Sequence, residues 1–203
     1  MTGIVIVDKP AGWTSQDVTA RLRRVFGTRR IGHGGTLDPM ATGVLPVFVG
    51  RATRGVEFFE HADKTYEAVL RLGTVTDTQD STGAVLEKRP VTVTEAEFRD
   101  ILPKFTGEIA QIPPMYSAIK VEGKKLYELA RAGKEIERKP REITVFSLDF
   151  LEFTGETAKI RVHCSKGTYI RTLCHDIGAA LGCGGCMETL RRTAAGGYTL
   201  ADS

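Results

Sequence analysis

The chain has 203 residues, of which 41% are hydrophobic and 26% are charged, an ordinary balance for a globular protein. This length is sufficient for a substantial core in one large or two small domains, so stability requires neither disulfides nor a metal. The net charge of +3 is too small to identify a nucleic-acid-binding protein. The N-terminal residues lack the leader of a signal peptide and the length of a membrane span, so we expect a cytoplasmic protein.

The first predicted elements are a strand over residues 4–8 and an amphipathic helix. Thr14 followed by Asp17 has the pattern of a capping box at the helix start, and Gly27 is suited to its end. The apolar residues at helical spacing are Val18, Leu22, Val25 and Phe26.

Residues 32–43 contain four glycines and one proline, a composition that predicts a shaped loop. Asp38 precedes Pro39, which restricts the Asp38 backbone to extended conformations. His33 lies among glycines that do little to cover it. Local chemistry is compatible with Asp38 closing a turn and His33 lying at the surface, or with both facing a substrate.

The rest of the chain predicts strand hairpins interrupted by isolated helices. Residues 64–72 alternate apolar and polar, which places Tyr66 on the buried face of a strand. Further strands are predicted over residues 44–49, 107–112, 115–121, 143–153 and 157–164, and helices over 52–59, from Thr94 to Phe105, around 126–130 and over 170–181. This order favours an α+β domain built on a largely antiparallel sheet.

Two local patterns are compatible with metal binding but incomplete. Residues 77–83 lack the alternating acids and final Glu of a calcium loop and predict a turn. Cys183 and Cys186 have a zinc-like spacing, whereas Cys164 and Cys174 are ten residues apart, so we expect no metal site.

Basic residues concentrate in two stretches. Residues 118–142 hold eight Lys or Arg against five Glu. No acid lies between Val18 and Thr36, where the arginines are Arg21, Arg23, Arg24, Arg29 and Arg30. Such stretches are often solvated surfaces, but their position around the Asp38 loop favours contacts with phosphates.

The string GHGGTLDPMATGVLP at residues 32–46 resembles the catalytic loop of the TruB family of bacterial tRNA pseudouridine synthases. Further matches follow in the same order, at Asp8-Lys9-Pro10, Lys64-Thr65-Tyr66, Arg71-Leu72-Gly73, Thr76-Asp77-Thr78, residues 113–118, residues 164–171 and Leu190-Arg191-Arg192. The resemblance implies the pseudouridine synthase fold, with a mixed, largely antiparallel sheet flanked by helices and an active-site cleft across the sheet.

The same resemblance implies isomerisation of uridine to pseudouridine at position 55, in the T loop of tRNA. The base is flipped out, and its glycosidic bond is cut and re-formed through carbon 5. No electrons are transferred and no atom is added, so the reaction requires neither a cofactor nor a metal.

By resemblance, the catalytic residues are Asp38, Tyr66 and Arg171. Asp38 acts at the electron-poor sugar carbon, by direct attack or by steering an elimination, and Arg171 is its ion-pair partner. An unperturbed Asp pKa of about 3.9 would keep Asp38 ionised at neutral pH. Tyr66 stacks on the base and moves a proton; a half-buried core tyrosine is the alternative.

Four further residues match substrate-binding positions. His33 inserts into the gap left in the T loop, and Lys9 supports the catalytic loop or contacts a phosphate. Tyr169 and Leu190 line the pocket, although Leu190, interpreted as an apolar helix position, also fits a core residue.

Many members of the family continue into an RNA-binding module of the PUA type, whereas this chain ends at Ser203. We therefore expect a single catalytic domain over residues 1–203 that lacks this module and is monomeric.

Two other functions stay open: a noncatalytic tRNA-binding or tRNA-folding protein that uses the same cleft, and a carbohydrate-active hydrolase that uses Asp77 and Asp80. The hydrolase has no flanking match, and the basic stretches disfavour it.

Overall fold

The computed structural model describes residues 1–117, 120–121, 124–126, 129, 133 and 136–203. The strands are β1 (Gly3–Lys9), β2 (Ile31–His33), β3 (Thr42–Val49), β4 (Lys64–Leu72), β5 (Thr74–Thr76), β6 (Val85–Lys88), β7 (Gly107–Gln111), β8 (Lys120–Val121), β9 (Lys124–Lys125), β10 (Arg141–Phe153), β11 (Thr157–Cys164), β12 (Gly185–Ala195) and β13 (Tyr198–Thr199). The helices are α1 (Ser15–Phe26), α2 (Val56–Glu60), α3 (Glu95–Ile101) and α4 (Ile170–Ala180). Short 3-10 helices cover Gly50–Gly55, Leu102–Phe105 and Leu200–Asp202.

Within the described residues, nine strands form one central sheet in the order β1-β3-β12-β4-β11-β10-β7, with β2 added to β3 and β13 to β12. β3 and β12 run parallel, with Arg191 opposite Thr42, and the other neighbouring strands of this sheet run antiparallel. The predicted α+β class with a largely antiparallel mixed sheet is therefore confirmed.

The main core lies between the central strands and α4. Leu70 in β4 and Ile160 in β11 are fully buried and pack in one cluster with Leu173 and Ile177 of α4. This packing follows from the alternation of β4, whose even-numbered residues are all buried. α4 thereby places its first turn, which carries Arg171, against the same sheet that carries Tyr66.

α1 packs against β2 and β3 in a second cluster. The predicted capping box is present, because the Thr14 and Asp17 side chains each accept a hydrogen bond from the other residue's backbone, and Gly27 ends the helix at a φ of 59°. Val25, predicted to face inward, is 62% exposed. The side chains that face the core are four residues apart, at Val18, Leu22 and Phe26, and position 25 lies off that face of the helix.

Several predicted boundaries are corrected. The glycine-rich loop is shorter than predicted, because its first residues belong to β2 and its last two begin β3, which leaves residues 34–41 as the loop. Residues 115–117 are bends and not a strand, and residues 118–119 lie outside the described residues. Most of the helix predicted around 126–130 also lies outside them. Residues 50–55 form a 3-10 helix before α2.

β12 lies at the centre of the sheet and was not predicted. It contains Leu190, so the interpretation of Leu190 as a helix position is wrong. The register against β4 shifts between Met187 and Thr189 and again between Arg192 and Ala194. Each irregularity disrupts the twofold alternation by which a strand is recognised in a sequence.

Candidate active site

A cleft of about 790 Å³ is lined by the loop after β2, by β4 and β12, by the β5–β6 turn, and by the segment between β11 and α4. Five residues predicted for the site line it, namely Asp38, Tyr66, Tyr169, Arg171 and Leu190. The fold thus brings together residues from four separate parts of the chain.

Arg171 and Asp38 form an ion pair in this cleft, with 3.0 Å between Arg171 Nε and Asp38 Oδ2. The Arg171 side chain is 8% exposed, so its charge requires several partners. Its Nη1 lies 3.6 Å from Asp80 Oδ2 and donates to the Thr78 carbonyl. Its Nη2 donates to the Tyr116 carbonyl at 2.9 Å. The guanidinium is therefore held on every side.

Asp80 is part of this network, a role that its sequence context alone did not indicate. Its Oδ1 accepts hydrogen bonds from the Thr78 hydroxyl and from the backbone and hydroxyl of Thr82, and its side chain is 6% exposed. Asp77 instead accepts from the backbone of Ala84 and closes the predicted turn. The two acids therefore do not form the pair that a hydrolase would need. The signal for Asp80 was its position next to the Thr76-Asp77-Thr78 match.

Burial raises the pKa of Asp38 above its ordinary value. The charges of Arg171 and Lys9 oppose this shift, whereas the nearby Asp80 carboxylate adds to it. The pKa of Asp38 therefore lies above the unperturbed value from which its ionisation was inferred. Of the two carboxylates next to Arg171, Asp38 is more accessible than Asp80, because its side chain is 34% exposed toward the cleft.

The loop that carries Asp38 is fastened to α1 and to the turn before it. The Ser15 hydroxyl accepts from the Leu37 backbone at 2.9 Å and donates to the Leu37 carbonyl at 3.3 Å. On the other side of Asp38, the Pro39 carbonyl accepts from the Gly12 backbone and from the Lys9 ammonium. Lys9 is fully buried with its ammonium bound to backbone carbonyls, an arrangement that favours support of the loop over a phosphate contact.

Arg192 holds the loop from the side of the sheet. Its Nε donates to the Val44 carbonyl at 2.7 Å and its Nη2 to the Gly35 carbonyl at 3.1 Å. Gly43 has a φ of 106°, and a Cβ there would lie 2.1 Å from the Arg192 carbonyl oxygen. Glycine is thus required where β3 and β12 meet, and sequence analysis did not foresee this role of Arg192.

Tyr66 and Tyr169 supply aromatic surface to the cleft. Burial raises the pKa of both phenols, so at neutral pH each is a neutral group. The Tyr169 backbone donates to Gln111 Oε1 at 2.8 Å, and Gln111 Nε2 donates back to the Tyr169 carbonyl at 3.0 Å. This reciprocal pair fixes the segment just before Arg171. Leu190, 8% exposed, adds an apolar wall.

His33 ends β2 and is not among the residues that line the cleft. Its Nε2 lies 3.3 Å from Gln16 Nε2 on α1. All five arginines of the first basic stretch are exposed, at Arg21, Arg23, Arg24, Arg29 and Arg30. Much of the second basic stretch, residues 118–142, lies outside the described residues.

The thiols of the described chain are buried and unsuited to nucleophilic catalysis. Burial raises the pKa of Cys164 to about 11 and also raises that of Cys186.

Among the residues that the structure describes, no three His, Cys, Asp or Glu side chains cluster as metal ligands. In the same part of the chain, no helix has the length and apolar composition needed to cross a membrane.

The arrangement can support chemistry at an electron-poor carbon. A carboxylate aimed by a buried arginine can attack or stabilise such a carbon, and the adjacent aromatic rings can hold a planar ring. These features fit an enzyme site for a ring joined to an electrophilic carbon.

Comparison with known proteins identifies the family. The model for the N-terminal domain of TruB family pseudouridylate synthases matches residues 23–170, and that for the C-terminal domain of tRNA pseudouridylate synthase B matches residues 171–203. The chain therefore belongs to the TruB family of pseudouridylate synthases, as its motifs predicted. The two matches meet inside α4, and β12, from the second, lies in the sheet between β3 and β4, from the first. The single domain over residues 1–203 stays a prediction.

Curated relatives and solved structures agree with this assignment. The chain is 51% identical over 203 residues to tRNA pseudouridine synthase B of Pseudomonas fluorescens (strain Pf0-1), which covers 100% of this chain and 67% of that protein. It is 52% identical over 199 residues to the protein of the same name from Azoarcus sp. (strain BH72), covering 98% and 66%. The chain thus spans about two thirds of the length of these relatives.

A solved structure entitled "Crystal Structure of a Cbf5-Nop10-Gar1 Complex" contains a similar chain. The TM-score is 0.76 at 36% identity, over 97% of this chain and 50% of that one. The predicted pseudouridine synthase fold is confirmed.

Proposed function

We propose that the chain isomerises uridine to pseudouridine at position 55 in the T loop of tRNA. The observation that carries this proposal is the Asp38–Arg171 ion pair in a cleft that also presents Tyr66. Two relatives that are 51% and 52% identical to this chain are named tRNA pseudouridine synthase B, and these names support tRNA as the substrate. We propose further that the protein acts as a monomer in the cytoplasm.

The proposed reaction rearranges one nucleotide without a net change in its atoms. The bond between the sugar C1′ and the base N1 breaks, and a bond forms between C1′ and C5 of the same base. The hydrogen on C5 leaves as a proton, and N1 gains one. Asp38 assists the cleavage and re-formation of the glycosidic bond, because a carboxylate can attack or stabilise the electron-poor C1′.

The cleft provides a place for the flipped base. A uridine stacked in a folded loop must leave the stack before its sugar carbon can be reached, at a cost of a few kcal/mol. The rings of Tyr66 and Tyr169 and the apolar side chain of Leu190 offset part of that cost by contacting the base. In this proposal Tyr66, a neutral phenol, exchanges a proton with the base.

Residues outside the cleft are assigned to the RNA. We propose that His33 inserts into the gap that the flipped base leaves, since it ends β2 directly before the loop that carries Asp38. The exposed arginines of α1 and the following turn contact phosphates of the T arm. Lys9 acts through the loop, because its ammonium donates to the carbonyls of Pro10, Trp13 and Pro39.

The noncatalytic alternative is less well supported. A protein that only binds or folds tRNA has no use for a desolvated carboxylate held by a buried arginine, and the relatives are named as synthases. The hydrolase alternative is withdrawn, because the buried Asp80 carboxylate is occupied by hydrogen bonds from Thr78 and Thr82 and Asp77 caps a turn.

The test is release of tritium from C5 of uridines in an unmodified tRNA transcript. We expect the wild type to release one equivalent per tRNA, Asp38→Asn to release none, and a transcript with cytidine at position 55 to release none. Tritium release that persists in Asp38→Asn would remove Asp38 from the chemistry. Binding of tRNA by the wild type without any release would favour the noncatalytic function.

A further inference from the structure

Four cationic side chains line the cleft within the described residues, and they differ in exposure. Arg171 is paired with two carboxylates. Arg192 is 1% exposed and donates hydrogen bonds to backbone carbonyls. Lys64 is 7% exposed and donates to the Ala62 carbonyl. Lys166 is the exposed cation of the four. A polyanionic strand that enters the cleft therefore meets Lys166 at the surface.

Lys166 is also held in a defined position. Its Nζ lies 2.6 Å from Nδ1 of His61, which is likewise exposed. An ammonium group has only donors, so His61 Nδ1 accepts this hydrogen bond. His61 thus orients the lysine.

The backbone around Lys166 is fixed as well. The Ser165 hydroxyl accepts from the Thr144 backbone at 2.9 Å, and the Ser165 backbone donates to the Thr144 carbonyl. The Thr168 hydroxyl donates to the Ser165 carbonyl and closes the turn. The same short segment continues through Tyr169 to Arg171. A ligand bound at Lys166 is therefore placed at a set distance from the reacting groups.

We propose that Lys166, oriented by His61, binds an RNA backbone phosphate next to the flipped uridine. This inference rests on the proposed function, because it takes the ligand of the cleft to be an RNA strand. A flipped nucleotide carries its two flanking phosphates to the mouth of the pocket, where a partly desolvated anion requires a cation. Lys166 is a binding residue and His61 a positioning residue.

The experiment measures equilibrium binding of an unmodified tRNA transcript between about 50 and 200 mM salt. We expect Lys166→Gln to weaken binding about five- to tenfold, as for the loss of one solvent-exposed hydrogen-bonded contact. The slope of log Kd against log salt should fall by about 0.7 to 0.9, the contribution of one phosphate contact. Lys166→Arg should retain most of both.

Lys104→Gln is the matched control, because Lys104 is exposed in the 3-10 helix after α3 and does not line the cleft. It should keep the affinity and the slope. His61→Ala should weaken binding while keeping the slope, since it removes the orientation of the lysine but no charge.

Two results would overturn the proposal. Affinity and slope of Lys166→Gln equal to those of Lys104→Gln would remove the phosphate contact, and wild-type affinity of His61→Ala would remove the positioning role. Tritium release by the wild type is scored separately. Release together with unchanged binding by Lys166→Gln would overturn this inference alone, whereas absence of release would count against the proposed function and leave the Lys166 contact to be judged by binding.

Discussion

Arg171 Nε lies 3.0 Å from Asp38 Oδ2, while its Nη1 donates to the Thr78 carbonyl and its Nη2 to the Tyr116 carbonyl. The orientation of Arg171 is thus determined by contacts other than the one to Asp38. A carboxylate paired with so constrained a cation can be aimed at a substrate without rearranging when the substrate binds.

The raised pKa of Asp38 predicts the acid limb of the pH profile. Because the ionised carboxylate is the reactive form, the single-turnover rate should fall as pH decreases through the pKa of Asp38. Burial raises that pKa, so the fall should occur above the ordinary aspartate value of about 4. Tritium release measured from pH 4 to 8 checks this, and an acid limb at or below the ordinary value would contradict it.

Asp38 and Asp80 should affect stability differently. A carboxyl with a raised folded-state pKa contributes stability below its unfolded pKa and loses that contribution as pH rises through its folded pKa. At pH 7 the Asp38 charge is therefore a cost, and Asp80 remains to compensate Arg171. We expect Asp38→Asn to leave the free energy of unfolding unchanged within about 1 kcal/mol, or to raise it.

Asp80→Asn is the comparison variant. Asp80 is buried and accepts three hydrogen bonds besides its contact with Arg171. Its loss should lower the free energy of unfolding by about 2 to 4 kcal/mol and reduce the single-turnover rate. Denaturant unfolding of both variants measures the difference, and equal destabilisation would show that the two carboxyls have the same structural role.

Tyr66→Phe separates a catalytic tyrosine from a core tyrosine. The substitution keeps the buried ring and removes the hydroxyl, so the melting temperature should stay within about 2 °C of wild type. The single-turnover rate should fall by about a hundredfold or more, as for the loss of a proton-transfer group. Tyr198→Phe is the control, because that ring packs against Phe59 away from the cleft. A destabilised Tyr66→Phe with normal turnover would assign Tyr66 to the core.

Ser15→Ala tests the fastening of the catalytic loop. The buried Ser15 hydroxyl both accepts from and donates to the Leu37 backbone, so its removal leaves the Leu37 amide unpaired. We expect a loss of about 1 to 3 kcal/mol in unfolding free energy. The single-turnover rate should fall more than tRNA affinity, because the loop carries Asp38. Ser147→Ala in β10 is the control, and a variant that binds tRNA weakly at full rate would contradict the prediction.

His33→Ala should reduce the single-turnover rate far less than Asp38→Ala. His33 lies outside the cleft, beside Gln16 of α1, so it can affect base flipping but not the bond-breaking step. Gln16→Ala controls for disturbance of that contact. Equal losses for His33→Ala and Asp38→Ala would contradict the assignment of His33 to the RNA.

Several elements of this protein, and its family, are determined by residues that lie close together in the chain. The capping box at Thr14 and the alternation of β4 act over a few residues, so the sequence alone predicted them. The motif around Asp38 indicated the family, because its residues are contiguous in the chain.

Only the tertiary structure revealed the features that depend on residues far apart. Asp80 becomes part of the site through Arg171, 91 positions along the chain, and β12 is a strand because β3 and β4 flank it despite its two irregularities. A lysine is a residue type that often contacts phosphates, but Lys9 is buried under the loop, where its ammonium donates to the Pro39 carbonyl. Burial and the partners it imposes decide the roles of these charges, and neither can be seen in the local order of residues.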